Sequence, residues 1–496
     1  MRRPFLVLLC SAALSSSSCL LHEVDKDPKA PVATPGKFEN GIGASAKAKR
    51  SDGRWWQHFG EPELASLVDQ ALTKNLDLKR SWARLKQAES YRRAAMAGLF
   101  PTVNASLSAG RSKSSATKVD FGMGEQTIAG RESNQFSASL PVSYELDVWG
   151  RVRAGLFAAG EDTAAGRADV ESAAMTIAAN VTERYLDVLE NRALAALLKQ
   201  QLTTNETMLK LLELRFESSD AALSDVYQQE QLIIGARAQL ALIEAREQIA
   251  DRQIAVLIGK PPQATVRAEA AALPQAVPLP ATGIPAQLLQ QRPDLRAAQR
   301  RVVAADYRVA QALAARFPTL GLSGSLGFST SQLADFFDSF VWNFVGNITA
   351  PLWDGGRRAA EHARTKAVVE ESLNAYGQAL LNALLEVEST LIRERQQRKY
   401  IGQLEAQVAT AEQTVQAAER QFSAGVAPSF LPTLTALRSL QQAEQNLLGA
   451  KRQLLSQRVQ LYRALGGTWT RKMKKPLHPN DKSKTTATKA SKERGS

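Results

Sequence analysis

Slid upon itself by 217 positions, the sequence repeats: Asp77-Leu78 meets Asp294-Leu295, Arg84 meets Arg301, Glu89 meets Asp306, and Phe100-Pro101-Thr102 meets Phe317-Pro318-Thr319. One offset satisfying every match indicates two copies of one structural unit, residues 61–260 and 284–470. Residues 261–283 between them are rich in Pro and Ala and lack steady periodicity, which predicts an extended strap.

The period changes inside each repeat. Each begins as a helix that stops at Phe-Pro, because proline disfavours helical geometry in the residue before it and cannot continue the ladder. Beyond Thr102, the residues Val103, Ala105, Leu107 and Ala109 alternate with Asn104, Ser106 and Ser108. Phe136, Ala138, Leu140, Val142 and Tyr144 likewise alternate with Gln135, Ser137, Ser139 and Ser143. In the second repeat Leu320, Leu322, Leu326 and Phe328 alternate with Gly and Ser, and Trp342, Phe344 and Ile348 with Asn343, Asn347 and Thr349. Period two with one apolar face predicts four amphipathic strands of about the length that crosses a tilted bilayer path.

The remainder reads as helix. No proline occurs between Pro141 and Pro261, or between Pro351 and Pro428. Helices from Ala154 to Glu217 and from Arg357 to Ser423 would each run about 95 Å at about 1.5 Å of rise per residue. Leu440, Leu447, Leu454 and Leu461, with Leu380, Leu384, Val387 and Leu391, place apolar residues at coiled-coil spacing.

The formal charge of +13 does not indicate nucleic-acid binding. Residues 471–496, a basic tail expected to be disordered, hold nine Lys or Arg against two acidic residues, and the remaining charge is spread over helical stretches rich in Glu and Arg. Met1-Arg2-Arg3 followed by the apolar run Phe5 to Leu14 predicts a signal peptide over residues 1–18. Cys10 and Cys19 both lie in this region, so no internal disulfide is expected in the mature chain. Cys19, preceded by small residues, is the expected lipidation site, and residues 19–60 read as a lipid-anchored extended segment. An ordinary signal cleavage nearby is the alternative. No later run is long and apolar enough for a membrane helix, so any crossing must use strands. The histidines His22, His58, His362 and His478 share no ligand spacing. Gly122-Met123-Gly124 opens no helix. No catalytic residue, cofactor or metal is expected, and the chain does not read as an enzyme.

Four half-apolar strands cannot close a barrel, since the outer two would leave backbone groups unpaired in hydrocarbon. Several chains must share one. Two supply eight strands, whose interior side chains fill, whereas three supply twelve and leave a lumen. The competing class, a periplasmic coiled-coil protein without a pore, calls for no membrane strands.

Gln291-Arg292-Pro293-Asp294-Leu295-Arg296-Ala297-Ala298, Phe317-Pro318-Thr319-Leu320, Tyr144-Glu145-Leu146-Asp147-Val148-Trp149-Gly150-Arg151, Pro351-Leu352-Trp353-Asp354-Gly355-Gly356-Arg357 and Arg420-Gln421-Phe422-Ser423-Ala424-Gly425 occur in that order. With these motifs the chain resembles the outer-membrane-factor, TolC-like family, in its NodT-type lipoprotein branch. The resemblance implies a mixed α+β membrane protein: a homotrimer with a twelve-stranded transmembrane β-barrel, four strands per chain, continued by a long α-helical coiled-coil periplasmic tunnel. It implies docking onto a periplasmic adaptor and an inner-membrane transporter in a tripartite efflux system, with type I protein secretion as the alternative use of the duct. It places the adaptor-contacting tips at Ser218, Ser219, Asp220, Gly425, Val426 and Ala427. Ser219 stands where the family usually has glycine. Asp225 is the one match to the aspartates that ring the entrance in some members, and the apolar stretch after Ser429 argues against a second acidic ring.

Overall fold

The computed structural model describes residues 20–41, 53–120, 125–128, 130–264, 272–276, 279–280, 282, 285–426, 429–467 and 469–473. In chain order these hold α1 (Pro62–Lys74), α2 (Leu76–Ala97), β1 (Thr102–Val103), β2 (Ser106–Lys113), β3 (Thr117–Asp120), β4 (Glu125–Ile128), β5 (Glu132–Leu146), α3 (Arg151–Glu217), α4 (Leu223–Leu257), α5 (Ala286–Gln291), α6 (Pro293–Ala314), β6 (Thr319–Thr330), β7 (Phe340–Thr349), α7 (Arg357–Ser423) and α8 (Leu431–Leu465). Element lengths repeat: α2 and α6 have 22 residues each, α3 and α7 have 67, α4 and α8 have 35.

α7 occupies the expected span, whereas α3 starts at Arg151 rather than Ala154. The Asp147 carboxylate explains the earlier start. It accepts from the amides of Val152 and Arg153, both at 2.9 Å, and satisfies first-turn donors that have no partner within a helix. Asp354 serves α7 in the same way, accepting from Gly356 at 3.1 Å and Arg358 at 3.3 Å. The repeat offset, 217 at Phe-Pro, is 206 at Arg151 and Arg357. The β3–β4 hairpin, paired from Thr117↔Ile128 to Asp120↔Glu125, lies in that interval of the first repeat and was not among the expected strands. Gly122-Met123-Gly124 lies outside the described residues.

The chain forms two compact units. The first gathers residues up to Lys29, Lys86–Ala165 and Ala298–Ala375. Its sheet is antiparallel throughout, ordered β1 and β2 on β5, then β6, then β7. α2 and α6 end in tight turns, with Phe100 donating to the Ala97 carbonyl at 3.0 Å and Phe317 to the Ala314 carbonyl at 3.1 Å, before the following proline forces extension into a strand. The N-terminal strap binds this unit. Leu20 and Val24 pack on Ala158, Val303 and Tyr307. Asp306 holds His22 at 2.6 Å and accepts from the Asp25 amide at 2.9 Å.

The second unit comprises Ala30–Leu85, Gly166–Ala297 and the chain from Tyr376 onward. Its main core joins Trp55, Trp56, Leu64 and Leu78 to Tyr185, Leu186, Leu189, Ile254, Val459 and Tyr462. Of the heptad positions, Leu454, Leu461, Leu380, Val387 and Leu391 are buried, and Leu447 packs against Ile401, Leu404 and Ala450. A buried amide layer interrupts the apolar seam. Gln441 donates to Asn205 Oδ1 at 2.9 Å and Gln229 to the Asn205 carbonyl at 2.9 Å, so sliding α3, α4 or α8 would strand polar groups. Among the described residues no helix is long and apolar enough to cross a membrane.

Candidate functional site

The sheet has two chemically distinct faces. Cross-strand register puts Leu107 opposite Ala138, Ala138 opposite Phe328, and Phe328 opposite Phe340 on one face. Leu140, Leu326 and Trp342 form the next row of that face, and Val142, Gly324 and Phe344 the row after it. Trp342 is 73% exposed and Ile348 72%, although burying such side chains is favourable by about 1.5–3 kcal/mol each. A face this apolar requires a non-aqueous surrounding. On the other face Ser108 and Ser137 exchange a hydroxyl hydrogen bond at 2.7 Å, Ser112 and Ser133 at 2.9 Å, and Thr102 and Ser143 at 2.6 Å. Small residues keep this polar face low. A Cβ at Gly327 would lie 2.1 Å from the Ala138 carbonyl oxygen, so the backbones approach there as only glycine permits.

Among the described residues, sheet order leaves β2 and β7 each paired on one side only. Their outer N–H and C=O groups cannot stay unpaired in a membrane interior.

The hairpin tips lie in the second unit. After α3, Ser219 takes φ +67, and after α7, Gly425 takes φ +71. Both tips close alike: Asp220 donates to the Arg215 carbonyl at 2.8 Å, and Val426 to the Gln421 carbonyl at 3.0 Å, the wide hydrogen bond of a Schellman helix end. Ser219 therefore takes the glycine-like turn despite its Cβ, a conformation costing roughly 1–2 kcal/mol outside glycine. Ser218, Ser219, Asp220, Gly425 and Val426 are all exposed; Ala427 lies outside the described residues. Beneath them Leu212, Val226, Phe422, Phe430 and Leu434 form a small core that packs the two tips together. Asp225, in the first turn of α4 and next in sequence to Val226 of that core, is 6% exposed within one chain, so it is not a surface carboxylate there.

The motif at residues 291–298 is structural. Arg292 donates to both Asp294 oxygens at 3.1 and 2.8 Å, to Glu386 at 2.8 Å and to the Ala464 carbonyl at 2.9 Å, clamping the start of α6 to α7 and the end of α8. Arg296 reaches Glu171 at 2.5 Å. Sequence reasoning missed the clamping role of Arg215, described below, and the capping role of Asp147 and Asp354. An aspartate just before a long proline-free helix was the available signal for the caps. Arg215 had none.

A family model described as outer membrane efflux protein matches residues 67–260 and again 284–467. The chain belongs to the outer membrane efflux protein family. The efflux protein is 34% identical over 453 residues to the pyoverdine export outer membrane protein OpmQ of Pseudomonas aeruginosa, covering 88% of this chain and 94% of that one. It is 29% identical over 473 residues to the toluene efflux pump outer membrane protein TtgC of Pseudomonas putida, covering 94% and 96%. Among solved structures, the outer-membrane channel OprN superposes with a TM-score of 0.82 at 28% identity, covering 91% of this chain and all of that one. The efflux protein is thus an outer-membrane component of an efflux system.

Proposed function

We propose that three copies of this chain close one twelve-stranded barrel and that solutes leave along its polar interior, delivered at the hairpin tips by a periplasmic adaptor and an inner-membrane transporter. The two-faced sheet with open edges carries this reading: its apolar side needs lipid, its Ser- and Asn-lined side needs water, and its edges need further strands. Catalysis has no part in it. Relatives named for pyoverdine export and toluene efflux support a small-molecule cargo over a secreted protein. Conductance of the reconstituted assembly tests it. A bulky thiol reagent on Ser139→Cys should reduce the current; an unchanged current with the thiol fully modified rules out Ser139 as pore-lining.

Two finer features belong to the same reading. Cys19, outside the described residues, is the acylated N-terminus, with Leu20 rather than an acidic residue after it. Acyl chains add membrane affinity and leave the pore unchanged. Mass spectrometry of the mature protein should find a lipid-modified Cys19, and an unmodified terminus at another residue removes the anchor. Asp225 is the acidic residue of the entrance, and three copies would concentrate negative potential there once movement of the first turn of α4 exposes it. Asp225→Asn should lower cation preference in single-channel recordings.

A further inference from the structure

On β2 and β5 the apolar face gives way to a charged one without a break in pairing. Leu107↔Ala138 and Ala109↔Phe136 are followed, on the same face, by Arg111↔Asn134 and Lys113↔Glu132. From Leu146 to Phe136 the apolar rows of β5 cover about 34 Å along the strand, or about 26 Å across a membrane at a tilt of about 40°. An apolar band of about 25 Å is what a membrane barrel presents to lipid. Asn134 and Glu132 then stand roughly 5 and 10 Å beyond the hydrocarbon edge, at headgroup depth. β5 passes into α3 from its Leu146 end, so the charged rows lie at the opposite end of the sheet, away from the long helices.

We propose that Arg111 and Lys113 bind the phosphate of a lipid headgroup in the leaflet at this far end, with the acyl chains lying along the Phe136 and Phe328 rows. The inference rests on the reading that the apolar face meets lipid. Both cations already converge on one anion: Arg111 Nη2 donates to Glu132 Oε2 at 2.6 Å, and Lys113 Nζ lies 3.0 Å from Glu132 Oε1. They carry more N–H donors than those oxygens can accept from, and Arg111 suits the paired oxygens of a phosphate. The cation side chains are 71% and 75% exposed, and exposed ion pairs contribute little to stability, so the fold does not account for their placement. Nor does the lumen. On the opposite face the interleaved rows are neutral, Gly110↔Gln135 and Ser112↔Ser133, so the cations face lipid rather than a passing solute. Beside them, on the β6–β7 hairpin, Phe328, Phe336, Phe337 and Phe340 form a ring cluster with Phe337 80% exposed, the aromatic edge that membrane barrels place where hydrocarbon meets headgroups.

Native mass spectrometry of the full-length protein in detergent, with diphosphoryl lipid A as the probe, tests the site. Arg111→Gln combined with Lys113→Gln should bind the lipid at least tenfold more weakly than the unaltered protein. Lys210→Gln combined with Lys451→Gln, which removes the same charge from exposed helix positions, should bind as the unaltered protein does. Glu132→Gln should bind more tightly, because the carboxylate that competes for both cations is gone. Equal binding by the unaltered protein and the Arg111 and Lys113 variant overturns the headgroup site. Equal loss in both double variants overturns it as well, since net charge alone then governs binding, and so does weaker binding by Glu132→Gln. Flotation with phosphatidylcholine vesicles separates these failures from that of the underlying reading: if the unaltered protein floats with the vesicles, the lipid-facing sheet stands without the site, and if it does not, both fall.

Discussion

Arg215, near the end of α3, closes the end of α7: its Nη1 donates to the Phe422 carbonyl at 3.0 Å, its Nη2 to the Ser423 carbonyl at 3.2 Å, and its guanidinium lies 4.5 Å over the Phe422 ring. One side chain thus satisfies the terminal carbonyls of a helix about two hundred residues away in sequence and fixes the two tips as a pair.

Arg215→Ala should loosen the second tip. Charge-assisted hydrogen bonds of this kind contribute about 1.5–3 kcal/mol, so amide exchange over residues 420–426 should accelerate by one to two orders of magnitude. Unchanged protection there would show that the core beneath holds the tips without the clamp.

Ser219→Gly should stabilise the first tip by about 1 kcal/mol, because glycine adopts φ near +67 without a Cβ penalty. Gly425→Ala should cost about as much at the second tip. Amide exchange at residues 217–222 and 423–426 reads both effects, and a slower second tip in Gly425→Ala contradicts the turn geometry.

The two sheet faces predict opposite tolerance to charge. Leu140, opposite Leu326 on the apolar face, should cost about 2–4 kcal/mol as Leu140→Arg near mid-membrane, and assembled yield in the outer membrane should fall. Ser139→Arg, one residue away on the polar face, should assemble and change only conductance or selectivity. Equal yields would mean that β5 does not separate lipid from water.

Acid should weaken the Arg292 clamp. Burial acts to raise the Asp294 carboxyl, but the Arg292 guanidinium and the Leu295 amide hydrogen-bonded to it leave it below the ordinary carboxylate range. A depressed carboxyl stabilises the fold above its unfolded value of about 4 and loses that contribution as pH falls through the lower folded value. Asp294→Asn should therefore unfold more easily than the unaltered protein in guanidinium at pH 7, and the difference should shrink at an acid pH where the Asp294 carboxyl is protonated in the folded state too. A difference of the same size at both pH values would assign it to packing instead.

The four long strands and the two longest helices came from the sequence because each announces itself within a few residues. Period two from Phe136 to Tyr144 and the proline-free stretch between Pro351 and Pro428 state their own conformations, and the 217-residue offset exposes the duplication before any contact is known. Glycine at 425 likewise marked its turn. Tertiary structure decided what depends on partners distant in sequence. Ser219 adopts a left-handed turn that its side chain disfavours, because Phe422, Phe430 and Val226 pack beneath the joined tips. Asp225, next in sequence to Val226 of that core, is buried as well, although its place in the sequence suggests exposure. Neither the Arg215 clamp nor the opposition of Ser108 to Ser137 leaves a local trace, since each needs two segments to be brought together before its hydrogen bonds exist.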